Sequence, residues 1–202
     1  SIDGTDTTGA TIDGTEVTEI TVDGQVVFTA GLPDSAIAQY DATQLSASDG
    51  DSISSLTDQI GTFDLSGGNP TYDVDGINGN PALDFDNDSL SESFITISQP
   101  YTVISVFSHD DTSSRHIYSS STKRAPSVEG SQTGSNLTNL IGGLDILGQN
   151  TLLSPVVYTG VYDGGSSLLR ENGTETGSGN AGSESFDGLR IGDVPQGAGD
   201  GQ

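Results

Sequence analysis

The chain has 202 residues, of which 29 are acidic and 5 are basic, so its formal net charge is −24. Leu, Ile, Val and Phe together make up 47 of the residues, roughly 23%, which lies above the approximate 20% below which such charged chains stay unfolded. The composition therefore excludes a disordered chain and predicts one ordinary folded domain with a small additional segment.

The acidic surface also restricts the partners. Nucleic acid and anionic lipid are bound through Lys and Arg, so we expect neither a nucleic-acid partner nor membrane insertion. Asp outnumbers Glu by 22 to 7, and Lys123 is the only lysine. In molar salt the Debye length falls to about 3 Å, so carboxylates that are spread along the chain repel one another less. This distribution of charge favours a halophile as the source. An acidic secreted protein from an ordinary organism is the alternative. The absence of Cys excludes disulfides and Cys-based zinc sites.

The first thirty residues consist of three decamers, SIDGTDTTGA, TIDGTEVTEI and TVDGQVVFTA, which share an Asp-Gly pair at their third and fourth positions. Each decamer is too short to be stable alone, because an isolated hairpin is only marginally stable in water. Two interpretations follow: an anchor for assembly with other chains, or a small meander folded onto the rest. A composition change with Pro33 places the boundary at 30 to 34 and predicts two domains, residues 1–30 and 31–202.

Beyond the decamers, short alternating segments rich in β-branched and aromatic residues predict an all-β fold. Asp-Gly and Asn-Gly pairs favour hairpin turns between the strands, as in the predicted hairpin 168–175. Only residues 52–60 have apolar residues at a spacing that suits a short helical turn. Ser- and Gly-rich loops are predicted at 109–136 and 176–184. The remaining predictions are strands at 16–22, 25–28, 94–97, 102–107, 155–162 and 189–191.

The body of the chain resembles the concanavalin A-like, or laminin-G-like, jelly-roll domains. The most specific similarity lies in Gly76–Asp86, GINGNPALDFD, which is similar to the family's entry into a central strand. Weaker similarities are Tyr40-Asp41-Ala42, Ile53 with Leu56, Asp58 and Gly61, Asn69–Tyr72, Tyr101–Phe107, Val156–Asp163 with Leu168–Gly173, and Leu189–Gly192.

This resemblance implies a β-sandwich preceded by a small N-terminal β-hairpin or meander, with glycan binding as a function that occurs in the family. Trp is often found in the family where this chain has Tyr40 and Leu56. The family usually closes its sheet with a further strand after the segment equivalent to Leu189–Gly192. We therefore expect that strand to come from the decamers or a neighbouring subunit, unless the sequence is a fragment.

The decamers have a resemblance of their own. Residues 11–27 are similar to the starts of structural proteins of tailed viruses that infect haloarchaea. This implies a non-enzymatic virion protein, a capsid spike, turret or tail-fibre component, assembled in the host cytoplasm and displayed on the virion surface. Its expected partners are other virion proteins, copies of itself in a homo-oligomer, and a host surface glycan. The alternative is a secreted or cell-surface carbohydrate-binding module of a haloarchaeon, with an extracellular location.

Three sets of residues are candidates for chemistry. A glycosidase needs two carboxylates across a cleft, but the Glu residues are scattered, so no catalytic residues and no enzyme activity are predicted. Asp84, Asp86 and Asp88 alternate as ligands for Ca²⁺ or another structural cation can, although solvation of one strand face explains them as well. No other cofactor is expected. A local positive region that suits an acidic neighbour or an anionic sugar is predicted from His109, Arg115, His116, Lys123 and Arg124.

Overall fold

The computed structural model describes residues 10–12, 15–17, 19–22, 25–29, 35–86, 88–108, 115–121, 127–130, 138–148 and 154–192. The chain divides into two compact units, Ser1–Ile37 and Ala38–Gln202.

The prediction of an all-β protein is confirmed. Within the described residues the regular structure consists of antiparallel β-strands and two single 3₁₀ turns, Ala42–Gln44 and Gly164–Ser166. None of these residues forms a helix of the length and apolarity needed to span a membrane. In chain order the strands are β1 Ala10–Ile12, β2 Thr15–Val17, β3 Glu19–Val22, β4 Gln25–Thr29, β5 Ser55–Leu56, β6 Leu65–Gly67, β7 Thr71–Ile77, β8 Asn80–Asp84, β9 Ser89–Ile97, β10 Tyr101–Phe107, β11 Arg115–Ser119, β12 Ser127–Gly130, β13 Thr138–Ile141, β14 Asp145–Leu147, β15 Val156–Tyr162, β16 Ser167–Glu171, β17 Thr174–Gly179 and β18 Phe186–Gly192.

The first unit contains two separate hairpins, β1 with β2 and β3 with β4. The pairs Ile12↔Thr15 and Val22↔Gln25 each leave two positions between the strands, and an Asp-Gly pair occupies both gaps. Two-residue loops of this composition favour the turns that match strand twist. The single strand predicted over 16–22 was wrong, because β2 pairs back with β1 whereas β3 pairs forward with β4.

The second unit contains two large sheets and a small one. The larger sheet has eight strands in the order β14-β13-β12-β11-β18-β9-β6-β5, and the other has four in the order β10-β15-β16-β17. Strands β7 and β8 form a separate two-stranded sheet. The strand β18 lies between β11 and β9, so the segment that resembles the family's second-to-last strand is internal to its sheet.

The two large sheets share one hydrophobic core, which gives the unit a sandwich-like architecture. Residues alternate along β15, where Val156, Tyr158 and Tyr162 are buried. This period of two directs one face of each strand to the interior. The eight-stranded sheet contributes Tyr118, Leu140, Ile146 and Phe186 to the same core, and Phe107 and Leu169 complete the side of the four-stranded sheet.

A second, smaller core covers the other half of the eight-stranded sheet. Leu65 and Leu90 are fully buried there, together with Leu56. Partly buried side chains from outside that sheet pack against them, among them Tyr40 and Phe85. The segment that contains the first 3₁₀ turn therefore supplies apolar cover for strands that the four-stranded sheet does not cover.

The Asn-Gly turns are confirmed by their backbone angles. Asn172 and Gly173 have φ values of 50° and 79°, and the pair at 78–79 has 52° and 75°. Positive φ at both central positions is the requirement of a type I′ turn. Two Asp-Gly pairs, at 75–76 and 187–188, instead lie inside β7 and β18, where the register shifts. A glycine in a strand commonly marks such a bulge, so these two pairs are not turns.

Two other local predictions were wrong. Residues 52–60 contain β5 and no helix, because Leu56 pairs with Leu65 and the Ile53 amide donates to the Pro70 carbonyl at 2.9 Å. The predicted loops at 109–136 and 176–184 contain β11, β12 and most of β17. These segments form strands because neighbouring strands complete their hydrogen bonds, which their Ser- and Gly-rich composition does not reveal.

Candidate functional site

Three loops of the second unit surround an open depression of about 500 Å³. The loops follow β13, β15 and β17 in the chain, so segments far apart in sequence meet there. Its lining residues are Gly143, Leu144, Gly164, Gly165, Asn180, Gly182, Ser183 and Glu184.

Backbone hydrogen bonds connect the three loops directly. The Leu144 amide donates to the Ala181 carbonyl at 2.9 Å, and the Glu184 amide donates to the Gly142 carbonyl at 3.0 Å. The Ala181 amide donates to the Gly164 carbonyl at 3.3 Å. Because each loop is bonded to another, the depression has a fixed floor before any ligand arrives, which lowers the ordering cost of binding.

The side chains of Gln99 and Tyr101 form further hydrogen bonds to the loops that line the depression. Gln99 Nε2 donates to the Glu184 carbonyl at 3.2 Å, and its Oε1 accepts from the Gly164 amide at 2.6 Å. The Tyr101 hydroxyl donates to the same Glu184 carbonyl at 3.1 Å. Burial, and then the negative charge of Glu184, raises the pKa of Tyr101 well above its ordinary value of 10.0, so the phenol remains a donor.

A glycine at position 182 is required by the close approach of the loops. Gly182 has φ of 95°, and a Cβ at this position would overlap the Gly142 carbonyl. Its amide donates to Asn180 Oδ1 at 2.9 Å, which orients the Asn180 side chain. Only glycine can occupy this position without separating the two loops.

The lining suits a neutral ligand that carries several hydroxyl groups. Asn180 and Glu184 supply amide and carboxylate groups, and Leu144, which is 53% exposed, supplies an apolar surface beside them. Small-molecule sites usually combine an apolar surface with a few polar groups. None of these lining residues was predicted as a site residue, because no local motif marks the convergence of three loops.

The predicted positive region is only partly described. His109, Lys123 and Arg124 lie outside the described residues. Arg115 and His116 are the first two residues of β11 rather than parts of a loop, and the His116 side chain is buried. The ligand-binding role predicted for these five residues stays a prediction.

The three aspartates predicted as cation ligands occupy different kinds of structure. Asp84 ends β8, Asp86 lies in a bend, and Asp88 precedes β9. Asp88 Oδ1 accepts from the Asn69 amide at 3.2 Å. They therefore do not alternate along one strand, and among the described residues no group of three or more His, Cys, Asp or Glu side chains is arranged to hold a metal ion. The cation site remains a prediction without supporting geometry.

The Asp58 carboxylate accepts hydrogen bonds from several backbone amides. Its oxygens accept from the amides of Gln39 at 3.0 Å, Ile60 at 3.2 Å and Phe63 at 3.3 Å. Burial opposes ionisation of Asp58, but these backbone N–H groups and that of Gly61 outweigh it and lower its pKa below 3.8. The group holds a turn together, which is a structural role.

Comparisons with known proteins found no relative of this chain. No protein-family model matches the sequence, and neither the curated proteins nor the solved structures contain a match.

Proposed function

We propose that this chain is a non-enzymatic structural protein of a haloarchaeal virus, displayed on the virion surface as a capsid spike, turret or tail-fibre component. In this proposal the second unit is a concanavalin A-like jelly roll that faces outward, and residues 1–30 attach it to other virion proteins and to copies of itself.

The division of the chain into a small unit of repeated hairpins and a larger β-unit carries the proposal. The hairpins β1–β2 and β3–β4 are separate two-stranded sheets, and two-stranded hairpins are only marginally stable in isolation. These four strands pair with no described strand outside their own hairpin, and the edges of such small sheets are suited to pairing with another chain. The resemblance of residues 11–27 to haloarchaeal virus proteins points to a virion as the assembly.

The architecture of the second unit supports a display role. Its sandwich-like core consists of residues from two sheets, while its surface belongs to a chain with 29 acidic and 5 basic residues. A strongly acidic surface stays hydrated and soluble in concentrated salt, where apolar association is strengthened. This combination suits a rigid module exposed to a hypersaline medium.

The proposal is tested by locating the protein in infected haloarchaeal cultures. Lysates are separated on density gradients in molar salt, and fractions are probed with an antibody against the chain. We expect the protein to band with virus particles and the antibody to label their surface in electron microscopy. Protein found only in cell envelopes or in particle-free medium contradicts a virion role and favours the secreted module.

A carbohydrate-binding module is the second candidate, and the depression lined by Asn180 and Glu184 favours it. The test is binding of the purified chain to glycans isolated from haloarchaeal cell surfaces. We expect Asn180→Ala and Leu144→Ala to weaken binding, whereas Asn69→Ala, an exposed asparagine elsewhere, leaves it unchanged. Equal binding by all three variants contradicts a site in the depression.

A further inference from the structure

Strand β10 forms one edge of the four-stranded sheet. It pairs with β15 along its whole length, from Tyr101↔Tyr162 to Phe107↔Val156. No described strand pairs with its other side. The opposite edge of this sheet, β17, differs because its register with β16 shifts at Leu169/Arg170 and because it lies beside β14 of the other sheet.

Edge strands of soluble proteins are normally protected against pairing with other chains. The devices within the strand itself are charged side chains, proline, a bulge, or a very short length. None is present in β10, which has seven residues, the sequence YTVISVF and an uninterrupted register with β15. All seven residues of β10 are uncharged, and no strand of the described residues pairs with its outer edge.

The outer face next to this edge is apolar and free of charge. Ile104 is 65% exposed, Val106 is 56% exposed, and Val157, which is paired with Val106, is 43% exposed. The other outward positions of β10 and β15 are Thr102, Thr159 and Val161. A contiguous exposed apolar surface on a soluble protein commonly marks an interaction site.

We propose that β10 pairs antiparallel with β10 of a second copy of this chain, so that two four-stranded sheets form one eight-stranded sheet across a two-fold axis. The longest symmetrical overlap of Tyr101–Phe107 with itself is centred on Ile104. In this register Ile104 faces its own counterpart, and Thr102 faces Val106 of the other copy. Opposite residues lie on the same face of an antiparallel sheet, so the outward apolar residues of both copies form one continuous stripe.

Charge and symmetry both favour a second copy as the partner. Two molecules of charge −24 repel each other over most of their surfaces, and β10 with the outer face of β15 is a region where they can approach without opposing carboxylates. A closed two-fold contact also uses the same surface on both molecules. Cross-strand pairs of β-branched residues are favourable in such a sheet.

This inference deepens the proposed virion function, because it specifies how the outward units associate. The two can fail separately. A chain that bands with virus particles but does not dimerise through β10 keeps the function and loses the interface. A chain that dimerises through β10 but is absent from particles keeps the interface and loses the function.

The first test is disulfide formation in a chain that has no native Cys. Residues directly opposite in an antiparallel pair have Cα atoms about 4.5 to 5.5 Å apart, within the range that a disulfide bridges. We expect oxidised Ile104→Cys to run as a covalent dimer on non-reducing gels. The control is Val74→Cys, an exposed valine in β7. An Ile104→Cys variant that cross-links no faster than the control overturns the proposal.

The second test uses charges at the same position. Ile104→Lys and Ile104→Glu each place like charges opposite each other at the two-fold axis, so each variant alone should dimerise at least about tenfold more weakly than the wild type. An equimolar mixture should recover the dimer, because Lys then faces Glu. The same changes at Val74 are the control. A monomeric wild type, undisturbed variants, or no recovery on mixing overturns the self-paired register.

Discussion

The hydroxyl groups of Tyr118 and Tyr162 lie 3.1 Å apart inside the core, and they join the two large sheets by a hydrogen bond. Tyr118 belongs to β11 of the eight-stranded sheet and Tyr162 to β15 of the four-stranded sheet. Burial raises the pKa of both phenols above the ordinary value of 10.0, so both hydroxyl groups stay protonated at neutral pH. A buried polar pair of this kind specifies how one sheet sits over the other.

Replacing these tyrosines tests the energy of that connection. Tyr118→Phe leaves the Tyr162 hydroxyl without this partner and should lower the free energy of unfolding by about 1 to 3 kcal/mol. A double-mutant cycle with Tyr162→Phe, measured by urea unfolding in constant KCl, should give a coupling of about 0.5 kcal/mol or more. Tyr72→Phe with Tyr162→Phe is the control. Equal coupling in both cycles would show that the hydroxyl contact is not responsible.

Asp58 should make stability dependent on acid pH. Its pKa is lowered in the folded state, so its contribution is present above the ordinary value of 3.8 and is lost as pH falls through the folded pKa. Asp58→Asn should cost about 1 to 3 kcal/mol at neutral pH and should flatten the fall in unfolding free energy at acid pH. The control is Asp75→Asn, an exposed change in β7, which should leave the free energy of unfolding at neutral pH nearly unchanged. The contrary result is an unchanged acid profile in Asp58→Asn.

The hairpin turn at Asn172 combines a backbone and a side-chain requirement. Asn172 has φ of 50°, and its Oδ1 accepts from the Val157 amide at 2.9 Å. Asn172→Gly keeps the backbone angle but removes the side-chain hydrogen bond, so it should lower the free energy of unfolding by about 1 kcal/mol. Asn172→Ala also strains the backbone at positive φ and should lower it by about 1 to 2 kcal/mol more. At Asn78, whose φ is similar and whose side chain accepts no hydrogen bond from a described residue, the Gly variant should be nearly neutral. Thermal unfolding measures all three, and equal losses at both sites contradict the side-chain role.

Gly160 keeps β15 close to the opposite sheet. A Cβ at this position would lie 2.6 Å from Leu140 Cδ1 and 3.1 Å from the Tyr118 hydroxyl. Gly160→Ala should therefore lower the free energy of unfolding by about 1 to 3 kcal/mol, the usual cost of overpacking. Gly165→Ala, where a Cβ meets nothing within 4 Å, should change it by less than about 0.5 kcal/mol. A neutral Gly160→Ala would mean that the Leu140 side chain shifts to make room for the new methyl group.

The net charge of −24 should make folding dependent on salt. Repulsion between carboxylates is screened as the Debye length falls from about 10 Å at 0.1 M to about 3 Å at 1 M. We expect the urea midpoint to rise steeply in the lower part of this range and then less steeply. A midpoint that does not change with KCl contradicts the halophilic interpretation, and a purely linear rise indicates salting-out instead of screening.

Sequence patterns predicted the parts of this fold that depend on neighbouring residues. Alternation located β10, β15 and β18, and the Asn-Gly pairs located two hairpins. The same reasoning failed for β11, β12 and β17, whose Ser- and Gly-rich composition resembles a loop. Those strands exist because partners elsewhere in the chain complete their hydrogen bonds.

The candidate site could not be predicted for a similar reason. Its loops come from three separate regions, and Gln99, which bonds to two of them, comes from a fourth. None of these segments contains a motif of its own. The predicted positive region, in contrast, grouped residues by proximity in sequence, and the strand that contains His116 directs its side chain into the protein interior.

The position of β18 affects how the molecule can be made. It is the strand that joins β11 to β9, and among the described strands it is the last to leave the ribosome. Until β18 has been synthesised, the strands of the eight-stranded sheet can form only two separate parts, one that ends at β11 and one that ends at β9, and each of these edge strands lacks a partner. The sheet therefore becomes continuous only after Gly192 has been synthesised, and we expect slow folding because so many contacts join distant parts of the chain.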